Sequence, residues 1–275
     1  MTARGSMAAL AWLAVAVLPA SAVAAPRSEL PSRFVSANIE WLAAHRLGQA
    51  LIERLELDVE DRRDAAEEFA SATILARHAD GQEAAARLAA VAEGWFLMSV
   101  APPDTLKGPG LDRAYGFDGA RAFRVLCMAR GADAEIAGDA ALWAEMPPAG
   151  FDACPIDRDL VTERWDVLLS DVALFDGEPP SDVTVRYAET DLVAPREALE
   201  ASGQLERTAD DAASVYALID PLVIEARACD GGVEPGNDAA ILCYEWVADL
   251  LAIDASEEER AGGDEVPPVV DEPAD

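Results

Sequence analysis

The chain has 275 residues, 51% of them hydrophobic, which is enough to bury a core in one large domain or two small ones. Its formal charge is −31 and Lys107 is the sole lysine, so positive charge rests almost entirely on scattered arginines. Such a field lacks the basic footprint that nucleic acid and anionic lipid headgroups require, and both are excluded as expected partners.

Residues 1–24 read as a secretory signal peptide: Arg4 in a short basic region, the apolar run Met7 to Leu18, then Ala22-Val23-Ala24 as a small-residue cleavage site. The run is shorter than the roughly 20 residues that a bilayer-spanning helix needs, and no later segment is long enough either. The expectation is a periplasmic or secreted protein with no membrane insertion after cleavage.

The first half of the mature chain reads as helical. Ile39, Ala43, Leu47, Leu51 and Leu55 recur every four residues, which predicts a helix with one continuous apolar ridge. Further helices are predicted over Asp61 to Ala76, Gln82 to Val100, Ala120 to Ala129 and Arg158 to Leu169, with a Pro- and Gly-rich loop from Ala101 to Gly119. After the turn-rich stretch Asp176 to Asp182, Val183, Val185 and Tyr187 alternate as in a half-buried strand. A helix over Glu206 to Ile219 and strands over Leu222 to Ala228 and Ala239 to Tyr244 follow. From Ser256 the chain turns acidic and Pro-containing without apolar periodicity, which predicts a solvated tail. The fold expected is a helix-rich α+β domain over 25–253, with a helical part at 33–170, an α/β part at 182–253 and a disordered acidic tail at 254–275.

Export gives the four cysteines a meaning, because an oxidising compartment favours pairing. Cys127, Cys154, Cys229 and Cys243 allow three connectivities, of which pairing between sequence neighbours is expected, and no C-x-x-C spacing suggests a zinc site. Each closed loop would add roughly 3 kcal/mol on the chain-entropy account. His78 falls at a predicted helix end, where a cation complements the dipole, and reads as a surface residue. Acidic clusters such as Asp210-Asp211 and Glu257-Glu258-Glu259 lack calcium-loop spacing and read as solvated surface.

The chemistry concentrates in the first helix. In His45-Arg46-Leu47-Gly48-Gln49-Ala50-Leu51 a helix puts positions 45 and 49 on one face, one turn apart. In an H-E-x-x-H motif those two positions are histidines that bind zinc, and the glutamate between them activates the bound water. The segment resembles the HELGHAL motif of a bacterial family of metallopeptidase-type domains. Three further segments match that family in order: Arg62 to Ala70 resembles its REEDAADQFA with one residue missing, Cys154 with Trp165-Asp166-Val167-Leu168-Leu169 resembles a cysteine-to-tryptophan helix, and Ile241-Leu242-Cys243-Tyr244-Glu245 resembles its ITLCYEL. Together they span roughly Arg33 to Leu251.

The resemblance implies a zinc peptidase, and the departures argue against one. The family's catalytic glutamate falls at Arg46, its second histidine at Gln49 and its third ligand, a glutamate, at Arg63, leaving His45 alone. At about 4 to 6 Å and an effective dielectric of about 20, each guanidinium would repel a zinc ion by roughly 5 to 8 kcal/mol. Sliding the alignment gap would bring in Asp64, which with His45 and Glu67 makes only a weak mixed site. The expectation is no metal and no cofactor, with Arg46 and Arg63 engaged in ion pairs to Asp64, Glu67 and Glu68 of the next helix or turned to solvent. The function expected is a non-catalytic, exported metallopeptidase-like protein that binds an unknown protein or peptide. Two alternatives stand beside it: an active zinc metallopeptidase with atypical ligands, and an acidic structural envelope protein.

Overall fold

The computed structural model describes residues 30–101, 119–143, 154, 158–175, 177–229 and 239–263. The expected signal peptide, the loop after Ala101 and the end of the acidic tail lie outside them. Helix α1 (Arg33–Arg54) starts where the Ser32 side chain accepts a hydrogen bond from the Val35 N–H, satisfying one of the donors that a helix start leaves open. Asp61 caps α2 (Arg62–Arg77) through the N–H groups of Arg63 and Asp64, and Asp80 caps α3 (Gly81–Val100) through that of Gln82. Next come α4 (Gly119–Arg130), α5 (Ala134–Trp143) and α6 (Arg158–Leu168), the last followed by a single 3-10 turn at Ser170–Val172. The second half holds β1 (Val183–Tyr187), α7 (Val193–Ser202), α8 (Gln204–Val215), β2 (Leu222–Arg227), β3 (Ala239–Cys243) and α9 (Tyr244–Gly263).

The architecture is α+β and helix-rich, as the sequence predicts. The three strands form one parallel sheet in the order β1-β2-β3, with Val183 opposite Leu222 and Val223 opposite Ala239. Parallel neighbours require crossovers, and α7 with α8 supplies the one between β1 and β2. Helix α1 runs through the middle of the molecule, packed on α2, α3, α8, β3 and α9. Its predicted ridge is buried at Ile39, Ala43, Leu47 and Leu51, and burial also reaches Val35, Trp41, Ala44 and Ile52 on other faces. One core cluster runs from Val35 to Ile253, so the helical and α/β parts share it. Cys127 pairs with Cys154 and Cys229 with Cys243, the neighbour connectivity expected.

Four helices differ from expectation. Helices α5 and α7 are additional: Asp133 caps α5 through Glu135 and Ile136, and α7 passes into α8 at Gly203, whose φ of 61° a side chain would strain. Helix α8 ends at Val215 rather than Ile219, because Tyr216 turns extended and bridges Ala173 in antiparallel fashion. The tail expected from residue 254 begins as helix, since α9 continues through it to Gly263.

Close packing of α1 on α3 depends on Gly94. A Cβ there would strike the Asn38 side chain, whose Nδ2 donates to the carbonyls of Phe34 and Ala90 at 2.9 and 3.0 Å. Gly94→Ala is expected to cost about 1–3 kcal/mol in urea denaturation. Gly138→Ala, in α5 with nothing within 4 Å of the new methyl, is expected to cost nothing or to gain up to about 1 kcal/mol. Equal effects at the two sites would show that the α1–α3 contact is not as tight as described.

Candidate functional site

The His45 region is built where α1 packs on α2 and α9, within the field of Arg121 of α4. His45 lies half-buried with its ring stacked on Trp41, one turn earlier, at 5.0 Å between centroids and 7° between planes. Trp41 meets Trp95 of α3 edge-on at 5.4 Å, and its Nε1 donates to Ser71 of α2 at 3.2 Å. The His45 Nε2 atom is shielded from water and has no hydrogen-bond partner. Burial holds the imidazole pKa well below its usual 6.5, and the Arg46, Arg121 and Arg63 guanidinium groups push it further down. His45 is therefore a neutral ring in a positive field.

The neighbouring positions of the motif are engaged locally. Arg46 Nη1 donates to Gln49 Oε1 at 2.6 Å, and its guanidinium lies over the Trp246 ring of α9 at 4.3 Å from the centroid. Gly48, between them, lets α2 approach: a Cβ there would come within 2.7 Å of Phe69 Cδ1. Arg63 stays one-third exposed, with Nε 3.7 Å from the Asp64 carboxylate.

The carboxylates of α2 are paired mainly with α4 and α6. Glu67 is buried; its Oε1 lies 2.6 Å from Arg121 Nε and its Oε2 accepts from Arg124 Nη2 at 2.7 Å. Arg124 also donates to Asp64 at 3.0 Å, and Arg164 pairs with Glu68. Arg121 in turn lies over the Trp95 ring at 5.0 Å. Burial raises the Glu67 carboxyl above the ordinary range, and the two guanidinium groups oppose that rise. Arg121, Arg124 and Trp246 were not singled out in the sequence. The arginines sit three apart on α4 beside Ala122, Val125 and Leu126, so a charged pair on a core-facing helix was the available signal; Trp246 belongs to a helix the sequence pattern did not reveal.

A second buried network lies further up α1. Glu40, fully buried, accepts from Arg87 Nη1 at 3.0 Å and lies 3.5 Å from Arg77 Nη1. His78 Nε2 is 3.1 Å from the same carboxylate, so His78 points inward at the end of α2 rather than out to solvent as expected. Arg77 continues the network to Asp211 and Thr208 of α8.

The residues about His45 do not fit a zinc ion. A zinc site needs three or four converging nitrogen, sulfur or carboxylate donors. Among the described residues, the grouping of three such donors is Cys229, Cys243 and Glu245, and none forms around His45. Glu67, the acid that could reach inward from α2, is held between two guanidinium groups. Those groups leave it little capacity to serve a metal or to act as a base.

The Glu67 pairs make a direct prediction. Glu67→Gln removes the charge that two largely buried arginines share, so denaturation in urea should show a loss of about 3–5 kcal/mol. A loss under about 1 kcal/mol would mean that solvent screens the cluster and that it does not hold α2 to α4.

A model of the family described as "Putative metallopeptidase" matches residues 24–169, more than half of the 275-residue chain. The match covers α1 to α6, including His45, Glu67, Arg121 and Arg124; the segment Ile241 to Glu245 lies beyond it. No curated protein and no solved structure matches the chain. With the motif helix, its α2 partner and the Trp165 helix all inside the matched span, the chain belongs to the family described as "Putative metallopeptidase".

Proposed function

We propose that this chain is an exported, non-catalytic member of its family that binds a protein or peptide instead of cleaving one. The observation that carries the reading is the setting of His45: a lone imidazole in the field of Arg46, Arg63 and Arg121, with the buried carboxylate of α2, Glu67, taken by Arg121 and Arg124. A hydrolytic zinc site requires the opposite charge arrangement, with anionic or neutral donors converging on a dication and a free carboxylate to activate water.

Export is supported by the two disulfides, which persist in oxidising compartments, and by the signal-peptide pattern of residues 1–24. No helix among the described residues is long and apolar enough to cross a membrane. A binding role is supported by a groove of about 1030 Å³ beside the start of α2. Asp58, Glu60, Asp61 and Glu163 line it together with the apolar side chains of Leu160 and Val167. Leu160 and Val167 are 64% and 67% exposed, so the groove offers both apolar and acidic contact to a basic peptide.

The competing reading, zinc hydrolysis with atypical ligands, is favoured by one observation, the unpartnered Nε2 atom of His45. Incubation with an unfolded substrate such as reduced casein decides between them, with tryptophan fluorescence following the addition of basic and acidic peptides in parallel. The expected result is equal, background cleavage in zinc and in chelator, and saturable binding of the basic peptide alone at about 0.15 M salt. Zinc-dependent cleavage abolished by His45→Ala would overturn the reading, as would the absence of any peptide preference.

A further inference from the structure

A buried polar group that the His45 region does not use lies where β3 passes into α9. Glu245 stands in the first turn of α9, 9% exposed, directly after the fully buried Cys243 and Tyr244. Its Oε1 accepts from the Cys229 N–H at 2.9 Å, while its Oε2 is shielded from water and has no partner. Burying an oxygen of a carboxylate without a partner is costly, and in a native protein such an atom calls for an account, a redox role or a bound water or ion among them. Beside it is the Cys229–Cys243 disulfide, and the two sulfurs and a carboxylate oxygen of Glu245 all lie within 4.8 Å of one another. The last residue of β3 leads straight into α9, so the helix N-terminus favours negative charge on both Cys243 and Glu245.

We propose that Cys229, Cys243 and Glu245 form a redox-gated zinc site, closed while the disulfide stands and opened by its reduction. In the oxidised chain the sulfurs are bonded to each other and cannot act as thiolate ligands. A dithiol reductant delivers two electrons and two protons: the S–S bond breaks, two cysteine thiols form, and the reductant leaves as its own disulfide. A zinc ion then binds both sulfurs and the Glu245 carboxylate, displacing the two thiol protons to solvent. Two thiolates and a carboxylate suit a borderline-soft dication in tetrahedral coordination, and water takes the fourth position. This site is independent of the proposed loss of zinc at His45.

The test uses the full chain, reduced with a phosphine under argon, checked for folding by circular dichroism and titrated with zinc against a chromophoric competitor. Taking the difference between reduced and oxidised protein isolates this site from any binding at His45, which needs no reductant. The expected result is one zinc ion per chain gained on reduction, with release of two protons. That zinc should be retained in Cys127→Ser/Cys154→Ser and lost in Cys229→Ser/Cys243→Ser. Glu245→Gln keeps both thiols and should weaken binding at least about tenfold. The proposal is overturned if a folded, reduced chain gains no zinc, if the gain survives loss of Cys229 and Cys243, or if Glu245→Gln leaves the affinity unchanged.

Discussion

A helix buried around most of its circumference must place its polar side chains against partners or leave them stranded, and α1 is such a helix. Asn38, Glu40, Trp41 and Arg46 all lie on it, and each is answered by a different neighbour. Asn38 bonds a carbonyl of α3, Glu40 draws in Arg77 and Arg87, Trp41 donates to Ser71, and Arg46 rests on Trp246 of α9. Those bonds fix how α2, α3 and α9 are placed, more specifically than apolar contact would. Glycines at 48 and 94 allow the approach: Gly48 admits Phe69, and Gly94 admits Asn38.

The same constraint shapes the chemistry around His45. In a metallopeptidase the positive charge at the centre is a metal ion, and the protein provides anions and lone pairs around it. On the proposed reading this chain provides the positive charge itself. Arg121 and Arg124 neutralise Glu67, Arg46 is held by Gln49 and an indole face, and His45 remains neutral and stacked on Trp41. Such ion pairs add little net stability once desolvation is counted, but breaking one leaves a charge stranded in the core, so the arrangement resists piecemeal reversal. A glutamate placed at 46 or a histidine at 49 alone would still face Arg121 and Arg63.

Much of the fold was legible because its signals are local. The four-residue ridge of α1, the Asp61 and Asp80 caps, and the alternation of Val183, Val185 and Tyr187 each depend on neighbours within a turn or a strand. Helix α5 escaped because its alanine-rich stretch offers little contrast between faces, and α7 because it starts without a side-chain cap and carries Pro195 in its first turn. Helix α9 escaped for a different reason: its acidic second half has the composition of a solvated tail, yet its first half is anchored by Trp246, Val247 and Leu250 in the core. At the site, the spacing of His45 and Gln49 gave their shared face. Which cation meets Glu67 was not legible, since Arg121 and Arg124 come from more than fifty residues away and only the packing of α4 on α2 brings them in.

The central claim is that the charge arrangement around His45 excludes a metal ion, and metal content tests it most directly. The measurement is elemental mass spectrometry on the protein purified without a histidine tag, with both disulfides intact, after dialysis against trace zinc. The account predicts zinc far below one ion per chain, unchanged by His45→Ala. Stoichiometric zinc that disappears with His45→Ala would contradict it.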